Sequence, residues 1–361
     1  MLTQSLLLTR DLLLSGSAAL EMDKPLGVPT WAGGHDGLPH PGRPGAIQRL
    51  QPNIRAVLAE MDLLAGLKFA SGTEPRFAQL SAGETPLLQI AAPSRAHFEE
   101  QLKLVHSFAD LRGERTSEVL AQAVPQTASW SAVAGLQPER HRYTWELLGI
   151  GLRFAMMMVM RFKQALECPR PMEYSALVQP MILTPGYTAF PSGHAAESYF
   201  IAELLPLLAA KASGLDGRVP TAPDFRALAA TSDSRETELG ERQGSLRAQL
   251  YRLAYRISEN RVVAGLHFPI DSVAGQLLGV ILARYFAGFC GLGKDPALLV
   301  GHTFASGTKF LTVHVEPKLD RGVDHQVDDR IPITPGKKPV PAGDSRVLAW
   351  LTDMAKSEWR D

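Results

Sequence analysis

The chain has 361 residues, enough for one large domain or two smaller ones with a sizeable core. Hydrophobic residues make up 45% of the sequence and charged residues 20%, which excludes wholesale disorder. The 37 Lys and Arg balance the 37 Asp and Glu, so the basic surplus typical of proteins that wrap duplex nucleic acid is absent, and we expect no nucleic-acid partner. The two cysteines, Cys168 and Cys290, are too few for a disulfide framework, which favours a reducing compartment.

The N-terminal residues 1–14 are rich in leucine but are interrupted by Arg10 and Asp11 and lack a basic leading region. We therefore expect no signal peptide. The long uncharged stretches of the chain contain many polar residues or several prolines, and its most apolar runs are too short to cross a bilayer as a helix of about 20 residues. The sequence predicts a soluble, cytoplasmic protein without a transmembrane segment.

Pro and Gly recur every few positions in residues 24–53, which indicates an extended connector after an N-terminal arm. Beyond it, apolar residues recur at three- and four-residue spacing or fill whole segments, which predicts helices. The predicted helical segments are Ile54–Leu67, Phe98–Leu111, Trp145–Phe162, Ala195–Ala212, Leu246–Val263, Asp271–Phe289 and Ser345–Trp359.

The remaining segments are polar or rich in Pro and Gly. Residues 231–247 are strongly polar, which is typical of an exposed insertion, and the alternation near Lys309–Val315 allows a short hairpin. We predict an all-α fold in three parts. Residues 1–95 form the N-terminal arm, the connector and accessory helices, residues 96–292 form a helical core, and residues 293–361 form a loop-rich extension that ends in a helix.

A first candidate segment runs from Lys163 to Arg170-Pro171. Lys163 lies at the end of a predicted buried helix, where an ammonium group needs an anionic partner. Pro171 disfavours a helical conformation at Arg170, so the two cations could converge on one anion just beyond the helix. The ammonium of Lys163 would act as a point charge, and the planar guanidinium of Arg170 could donate two parallel hydrogen bonds. The alternative is a lysine that reaches back to solvent and a surface arginine, since cations are favoured at helix C-termini in any case.

A second candidate segment, Ser192-Gly193-His194, opens the helix that begins near Ala195. Ser192 is an N-cap candidate, and Gly193 would let a ligand approach the backbone where free amide groups point outward. An anion at this position would meet a hydroxyl group, backbone donors and an imidazole together. The alternative is an ordinary N-cap followed by a histidine that packs in the core.

A third candidate segment contains Asn260-Arg261, then His267, then Asp271. A carboxylate four residues after a histidine can accept the imidazole Nδ1–H, which leaves Nε2 free as a base or nucleophile. The alternative is a surface pair between Arg261 and Asp271, with His267 filling a gap. No two histidines have the spacing of a zinc-binding helix, so a structural zinc site is not expected.

The three segments in order, Lys-(six)-Arg-Pro, Pro-Ser-Gly-His and Arg-(five)-His-(three)-Asp, resemble the tripartite signature of the type 2 phosphatidic acid phosphatase (PAP2) and vanadium-dependent haloperoxidase superfamily. This resemblance implies a helical bundle for the core. The third motif of the family usually begins with Ser-Arg, whereas this chain has Asn260-Arg261. We expect this difference to remove a secondary contact and to leave the site itself intact.

The resemblance also implies a role for each motif residue. The groups that would hold the oxygens of phosphate or vanadate are Lys163, Arg170, Arg261, Ser192 and the amide of Gly193. His267 would be the nucleophile that forms a phosphohistidine, or the axial ligand of the metal if vanadate is bound. Asp271 would orient His267, and His194 would protonate the leaving oxygen as a general acid.

Two chemistries share such a pocket, because vanadate mimics the transition state of phosphoryl transfer. We favour a metal-independent phosphomonoesterase, similar to acid phosphatases and without a cofactor, because the segment between Arg170 and Ser192 is short. The predicted solubility and the long N-terminal region instead resemble vanadate-dependent haloperoxidases, and a non-catalytic anion-binding protein is a third alternative. The expected partner is a small phosphorylated or oxidisable organic substrate, and related proteins often associate through helical faces, which allows a homodimer.

Overall fold

The computed structural model describes residues 46–74, 76–123, 126–214, 234–292, 300–304, 333–339 and 343–359, with the backbone alone for 234–245, 300–304 and 333–339. Backbone contacts divide the chain into residues 1–49 and residues 50–361. The predicted N-terminal arm and the predicted hairpin at Lys309–Val315 lie outside the described residues.

Helices dominate this unit. They are α1 (Pro52–Ala65), α2 (Arg95–Phe108), α3 (Arg112–Ala121), α4 (Thr127–Ala134), α5 (Arg142–Leu166), α6 (Pro171–Tyr174), α7 (Gly193–Ala212), α8 (Ser234–Val263), α9 (Pro269–Phe289) and α10 (Arg346–Ser357). Apart from Leu246–Val263, each predicted helical segment matches one of these helices to within a few residues. The helical fold class is confirmed.

Helix α8 extends into the polar segment 231–247, which the sequence analysis interpreted as an exposed insertion. The helix begins at Ser234 inside this segment and continues without a break to Val263. Glu, Arg and Gln are good helix formers, so a polar segment can extend a helix even without an apolar stripe. Arg247 anchors this part of the helix to α7, since its Nη2 lies 2.6 Å from Oε2 of the buried Glu203.

A small sheet, which the sequence analysis did not predict, lies beside the helices. Its strands are β1 (Leu67–Thr73), β2 (Arg76–Ala82), β3 (Thr85–Ala91), β4 (Val300–Phe304) and β5 (Ile333–Pro339), adjacent in that order. The β3–β4 pair is parallel and the other pairs are antiparallel. Strand β2 packs on α5, and Nη1 of Arg76 donates to the carbonyl of Leu166 (3.1 Å), which ties the sheet to the C-terminal end of α5.

Helix α7 forms the centre of the bundle and packs against α5, α8 and α9. Its residues from Ala195 to Ala210 are almost all buried, as expected for a helix that is apolar on every side. Gly275 on α9 allows a close approach, because a Cβ atom there would lie 2.4 Å from the carbonyl oxygen of Ser192. The N-terminal ends of α7 and α9 therefore lie side by side, and the Ser192 amide donates to the Asp271 carbonyl (2.9 Å).

Helix α10 packs along α5 and confirms the predicted terminal helix. Just after it, the carboxylate of Glu358 accepts hydrogen bonds from the amides of Tyr143 (2.7 Å) and Thr144 (2.9 Å) in the first turn of α5. The C-terminal end of α10 is joined in this way to the N-terminal end of α5. The predicted boundaries at 95/96 and 292/293 stay a prediction.

Candidate active site

Lys163 occupies the last turn of α5 and is only 2% exposed. Its ammonium group donates to the carbonyl of Thr188 (2.7 Å) and to that of Ala189. Burial lowers the pKa of Lys163 to about 7, with Asp271 opposing this shift. The alternative of a lysine that reaches back to solvent is therefore wrong.

Arg170 is buried as well and lies on extended backbone at the N-terminal end of α6, as Pro171 predicts. Its Nε donates to the carbonyl of Tyr187 (3.0 Å), and its Nη1 donates to the carbonyl of Leu266 (3.0 Å). Leu266 directly precedes His267, so the guanidinium of Arg170 joins the first motif to the third. Arg170 is not a surface arginine.

The half-exposed ring of Tyr187 lies beside both of these cations. Its centroid is 5.4 Å from Nζ of Lys163 and 5.5 Å from Cζ of Arg170. These distances fit cation–π contacts. Tyr187 therefore forms one wall of the cationic cluster.

Ser192 caps α7, as predicted, and its Oγ accepts the amide hydrogen of Ala195 (3.4 Å). Two residues on, Nε2 of His194 lies 3.0 Å from the carbonyl oxygen of Gln122. Burial, and next the positive charge of Arg261, lower the pKa of His194 to about 4. A Cβ atom at Gly193 would make only an ordinary 3.7 Å contact with Val159, so internal packing alone does not require glycine there.

Arg261 lies in the last turn of α8 and is fully buried. Its Nη2 donates to the carbonyl of Val119 (3.0 Å), whereas its Nε and Nη1 have no hydrogen-bond partner among the described residues. Burial lowers the pKa of Arg261 to about 10. Unpaired N–H groups on a buried cation are costly, and they fit an oxyanion ligand.

His267 and Asp271 form the hydrogen-bonded pair that their spacing predicts. Oδ2 of Asp271 lies 2.9 Å from Nδ1 of His267 and also accepts the amide hydrogen of Phe268 (2.9 Å) at the start of α9. Burial holds the pKa of His267 well below its usual value and raises that of Asp271, while the amide of Phe268 and the charges of Lys163 and Arg170 oppose the rise in the pKa of Asp271. The imidazole is therefore neutral, and its Nε2 is the nitrogen left for chemistry.

The three motifs converge on His267. After burial, the influences that lower the pKa of this imidazole are the charges of Lys163, Arg170, His194 and Arg261. Charges act in this way only over short distances in a protein interior. The structure thus places three cations and two imidazoles in one buried cluster, with the alternatives of unrelated surface pairs excluded for both arginines.

Sequence reasoning missed the contribution of residues 95–126. The carbonyls of Val119 and Gln122 contact Arg261 and His194, and Oε1 of Gln101 accepts the amide hydrogen of Ile270 (3.0 Å) beside Asp271. Two of these groups are backbone carbonyls, which carry no residue-type signal. Only the buried Gln101, on the apolar face of a predicted helix, offered a sequence hint.

Asn260 makes contacts that the sequence analysis did not predict. Its amide nitrogen donates to Glu118 (3.0 Å) and Gln122 (2.9 Å), and its Oδ1 accepts from Nη1 of Arg115 (3.1 Å). These three contacts join Asn260 to α3 and its C-cap, and the loss of a secondary contact relative to serine stays a prediction.

One helix within the described residues, α9, has the length and composition of a membrane span, with a mean hydropathy of 1.3 over its most apolar window. In this structure 78% of that window is buried against the rest of the protein. A core helix has the same properties, so α9 is weak evidence for a membrane span.

Comparison with known families finds one match in this region. The model of the PAP2 superfamily matches residues 144–290, which hold α5 to α9 and all three motifs. No curated protein matches the chain. The matched segment contains every residue that the motifs singled out, and it excludes α3, which supplies the two backbone carbonyls.

Proposed function

Residues 144–290 match the PAP2 superfamily, and from this match we propose that the chain is a phosphomonoesterase that works through a phosphohistidine intermediate. The family supports phosphatase chemistry in general. The observation that carries the proposal for this chain is Arg261, whose buried Nε and Nη1 have no partner among the described residues and lie in the cluster around His267. A phosphate group there would satisfy both N–H groups.

The charges of the cluster suit phosphoryl transfer. Lys163, Arg170 and Arg261 would neutralise the three equatorial oxygens, with Ser192 and the amide of Gly193 completing the cradle. These cations are held in place by carbonyl groups before any substrate arrives. Such preorganisation stabilises a transition state without reorganisation during the reaction.

In the first step, Nε2 of His267 attacks phosphorus, so that a P–N bond forms while the P–O bond to the leaving alcohol breaks. Asp271 stabilises the positive charge that develops on the imidazole. The leaving oxygen takes a proton from His194. Since Nε2 of His194 is engaged by the carbonyl of Gln122, Nδ1 is the nitrogen that would deliver this proton.

In the second step, water attacks the phosphohistidine and His194 accepts one of its protons. The P–N bond breaks, His267 recovers its lone pair, and phosphate leaves. This scheme uses the cations of the protein and no metal ion or other cofactor. The proposed substrate is a small phosphorylated organic compound, while a soluble cytoplasmic state, a homodimer and the absence of nucleic-acid partners stay predictions.

The second candidate function is that of a vanadate-dependent haloperoxidase. The unpaired N–H groups of Arg261 and the free Nε2 of the neutral His267 would fit vanadate as well as phosphate. His267 would then hold the vanadate through Nε2, and bound vanadate would supply the activation of peroxide for halide oxidation. A third candidate is an anion-binding protein without catalysis.

One assay series separates the three candidates. The purified protein, in the presence of a metal chelator, should hydrolyse p-nitrophenyl phosphate, vanadate should inhibit it, and His267→Ala should abolish turnover. His106→Ala, which removes an exposed histidine on α2, is the matched control and should keep full activity.

Other results of these assays would decide against the proposed phosphatase. Undiminished activity of His267→Ala would refute the assigned nucleophile. Halide oxidation by peroxide that appears only after vanadate loading, without phosphatase activity, would establish the haloperoxidase. If neither activity appears and phosphate only raises the melting temperature, the chain is a binding protein.

A further inference from the structure

The C-terminal turn of α3 borders the candidate active site, although α3 lies outside the segment that matches the PAP2 superfamily. The carbonyl of Val119 accepts from Nη2 of Arg261, and the carbonyl of Gln122 faces Nε2 of His194, both at 3.0 Å. Carbonyls in the last turn of a helix have no partner within the helix and carry the negative end of its dipole. They are therefore well suited to hold these two donors.

The contact with Gln122 determines which nitrogen of His194 faces the site. A carbonyl oxygen only accepts hydrogen bonds, so Nε2 of His194 must carry a hydrogen in either charge state. The neutral imidazole then has its lone pair on Nδ1, and the protonated imidazole can donate from Nδ1. The same carbonyl also accepts a longer bond from Nε2 of Gln126 (3.3 Å).

The positively charged groups around His194 oppose its protonation. Arg261, Lys163 and Arg170 lower its pKa, in addition to burial, and the hydrogen bond to the Gln122 carbonyl is the influence that raises it. The neutral imidazole of His267 lies in the same cluster. The position of one carbonyl thus affects both the orientation and the charge of His194.

Asn260 connects that carbonyl to the core. The asparagine lies on α8 directly before Arg261, is fully buried, and donates to Oε1 of Gln122 (2.9 Å) and to Oε2 of Glu118 (3.0 Å). Its Oδ1 accepts from Arg115 (3.1 Å), so one side chain holds three residues of α3 and its C-cap.

From these contacts, and on the premise of the proposed function, we propose that Asn260 is a positioning residue for His194: it fixes the C-terminal turn of α3, and the Gln122 carbonyl then holds Nε2 of His194 so that Nδ1 faces the substrate oxygen. A serine, the residue usual in this motif, has one hydroxyl donor and cannot donate to Gln122 and Glu118 at once. The asparagine is therefore suited to recruit an accessory helix to the site of this chain.

The test uses Asn260→Ala, Asn260→Ser and Gln122→Ala in the full-length protein. The Gln122→Ala variant removes the anchored side chain and keeps the carbonyl. NMR of ¹⁵N-labelled histidine would follow the titration of His194 and its Nε2–H resonance without substrate. In each variant the pKa of His194 should fall, because the hydrogen bond that favours the charged imidazole is weakened.

The same variants should change catalysis in a specific way. The value of kcat for an alkyl phosphate, whose leaving oxygen needs an acid, should fall about tenfold, as expected for the loss of one hydrogen bond. The decline of kcat/KM at higher pH should move to lower pH. Because Asn260 and Gln122 act through the same contacts, their effects should not add. The double variant should therefore lose no more of its kcat than the more impaired of the two single variants.

Ser258→Ala is the matched control, since Ser258 is equally buried on α8 and its hydroxyl donates to the carbonyl of Ala254 (2.7 Å), away from α3. An unchanged His194 titration in folded Asn260→Ala and Gln122→Ala would overturn the proposal. A fall in kcat with an unshifted pH profile would also overturn it, because it would show a merely structural role. If the wild type lacks phosphatase activity, the proposed function fails, yet the NMR titration still tests the positioning of His194.

Discussion

Arg261 is a fully buried guanidinium whose Nε and Nη1 have no hydrogen-bond partner within the described part of the chain. Removing one partner of a buried charge is costly, whereas replacing the charged group by an apolar one of similar volume is often neutral or stabilising. An oxyanion would supply the acceptors that these N–H groups need. Stability should therefore depend on Arg261 in opposite ways with and without an anion.

We predict that Arg261→Met raises the free energy of unfolding of the anion-free protein by about 1 kcal/mol. The same change should remove the rise in melting temperature that phosphate produces in the wild type. Differential scanning fluorimetry with and without phosphate measures both effects. Arg256→Met is the control, since Arg256 pairs with Glu118 near the surface, and this variant should keep the phosphate effect. An undiminished rise in melting temperature with phosphate in Arg261→Met would contradict the assignment of Arg261 as a phosphate-binding residue.

The protonation of His194 predicts an acidic pH optimum. Its pKa of about 4 in the free protein means that the protonated fraction, and with it kcat/KM, declines about tenfold per pH unit above that value. Burial holds the pKa of His267 well below its usual value, which favours the neutral form of the nucleophile. A pH profile of kcat/KM that is flat between about pH 4 and 7 would refute the role of His194 as an acid.

The leaving group provides a second check on the same residue. His194→Ala should slow the hydrolysis of phenyl phosphate about 100-fold or more. The hydrolysis of p-nitrophenyl phosphate should slow less, because its leaving group departs without a proton. Equal losses for the two substrates would indicate that His194 serves only to bind phosphate.

At the scale of elements, the site depends on how closely α9 approaches α7. A Cβ atom at Gly275 would lie 2.4 Å from the Ser192 carbonyl oxygen, and one at Gly279 would lie 2.2 Å from that of Ala196. Both clashes involve backbone atoms, so a side chain could fit only if the helices move apart. Such movement would separate Asp271 from the cap of α7.

We predict that Gly275→Ala lowers the free energy of unfolding by about 1–3 kcal/mol and also lowers kcat, because overpacking displaces the N-terminal ends of both helices. Gly149→Ala is the control. Gly149 is exposed within α5, a Cβ atom there meets nothing within 4 Å, and alanine should stabilise the helix by up to about 1 kcal/mol. Chemical denaturation of both variants measures this difference, and a Gly275→Ala variant as stable as Gly149→Ala would be the contrary result.

The helices were predictable because their apolar residues recur with helical spacing or fill whole segments. The strands β1–β3 were not, since β-branched residues are few in them. Asp271 was predictable as the partner of His267 because a carboxylate four residues on, in the first turn of the helix that begins just after the histidine, can reach the imidazole. The contacts of Asn260 with α3 were not, because they join residues about 140 positions apart and depend on tertiary packing.

At the scale of the whole molecule, the C-terminal region supports the helix that carries Lys163. The carboxylate of Glu358 accepts from the amides of Tyr143 and Thr144 at the start of α5, and the hydroxyl of Thr144 also donates to it (2.8 Å). A carboxylate at this position satisfies free amides and complements the helix dipole.

We predict that Glu358→Ala lowers the free energy of unfolding by about 1–2 kcal/mol, because the first turn of α5 loses its cap. Lys356→Ala, which breaks an exposed pair with Asp353, is the control and should change stability by less than about 0.5 kcal/mol. Thermal or urea denaturation measures both. Equal stabilities of the two variants would show that α10 does not support α5 through this contact.

The central claim is that three cations and two histidines from distant parts of the chain surround one oxyanion. A crystal structure of the protein soaked in vanadate tests this claim most directly. We predict vanadium bonded to Nε2 of His267, with its oxygens hydrogen-bonded to Nε and Nη1 of Arg261 and to Lys163 and Arg170. Vanadate bound elsewhere, or a His267 imidazole that stays unliganded at saturating vanadate, would contradict it.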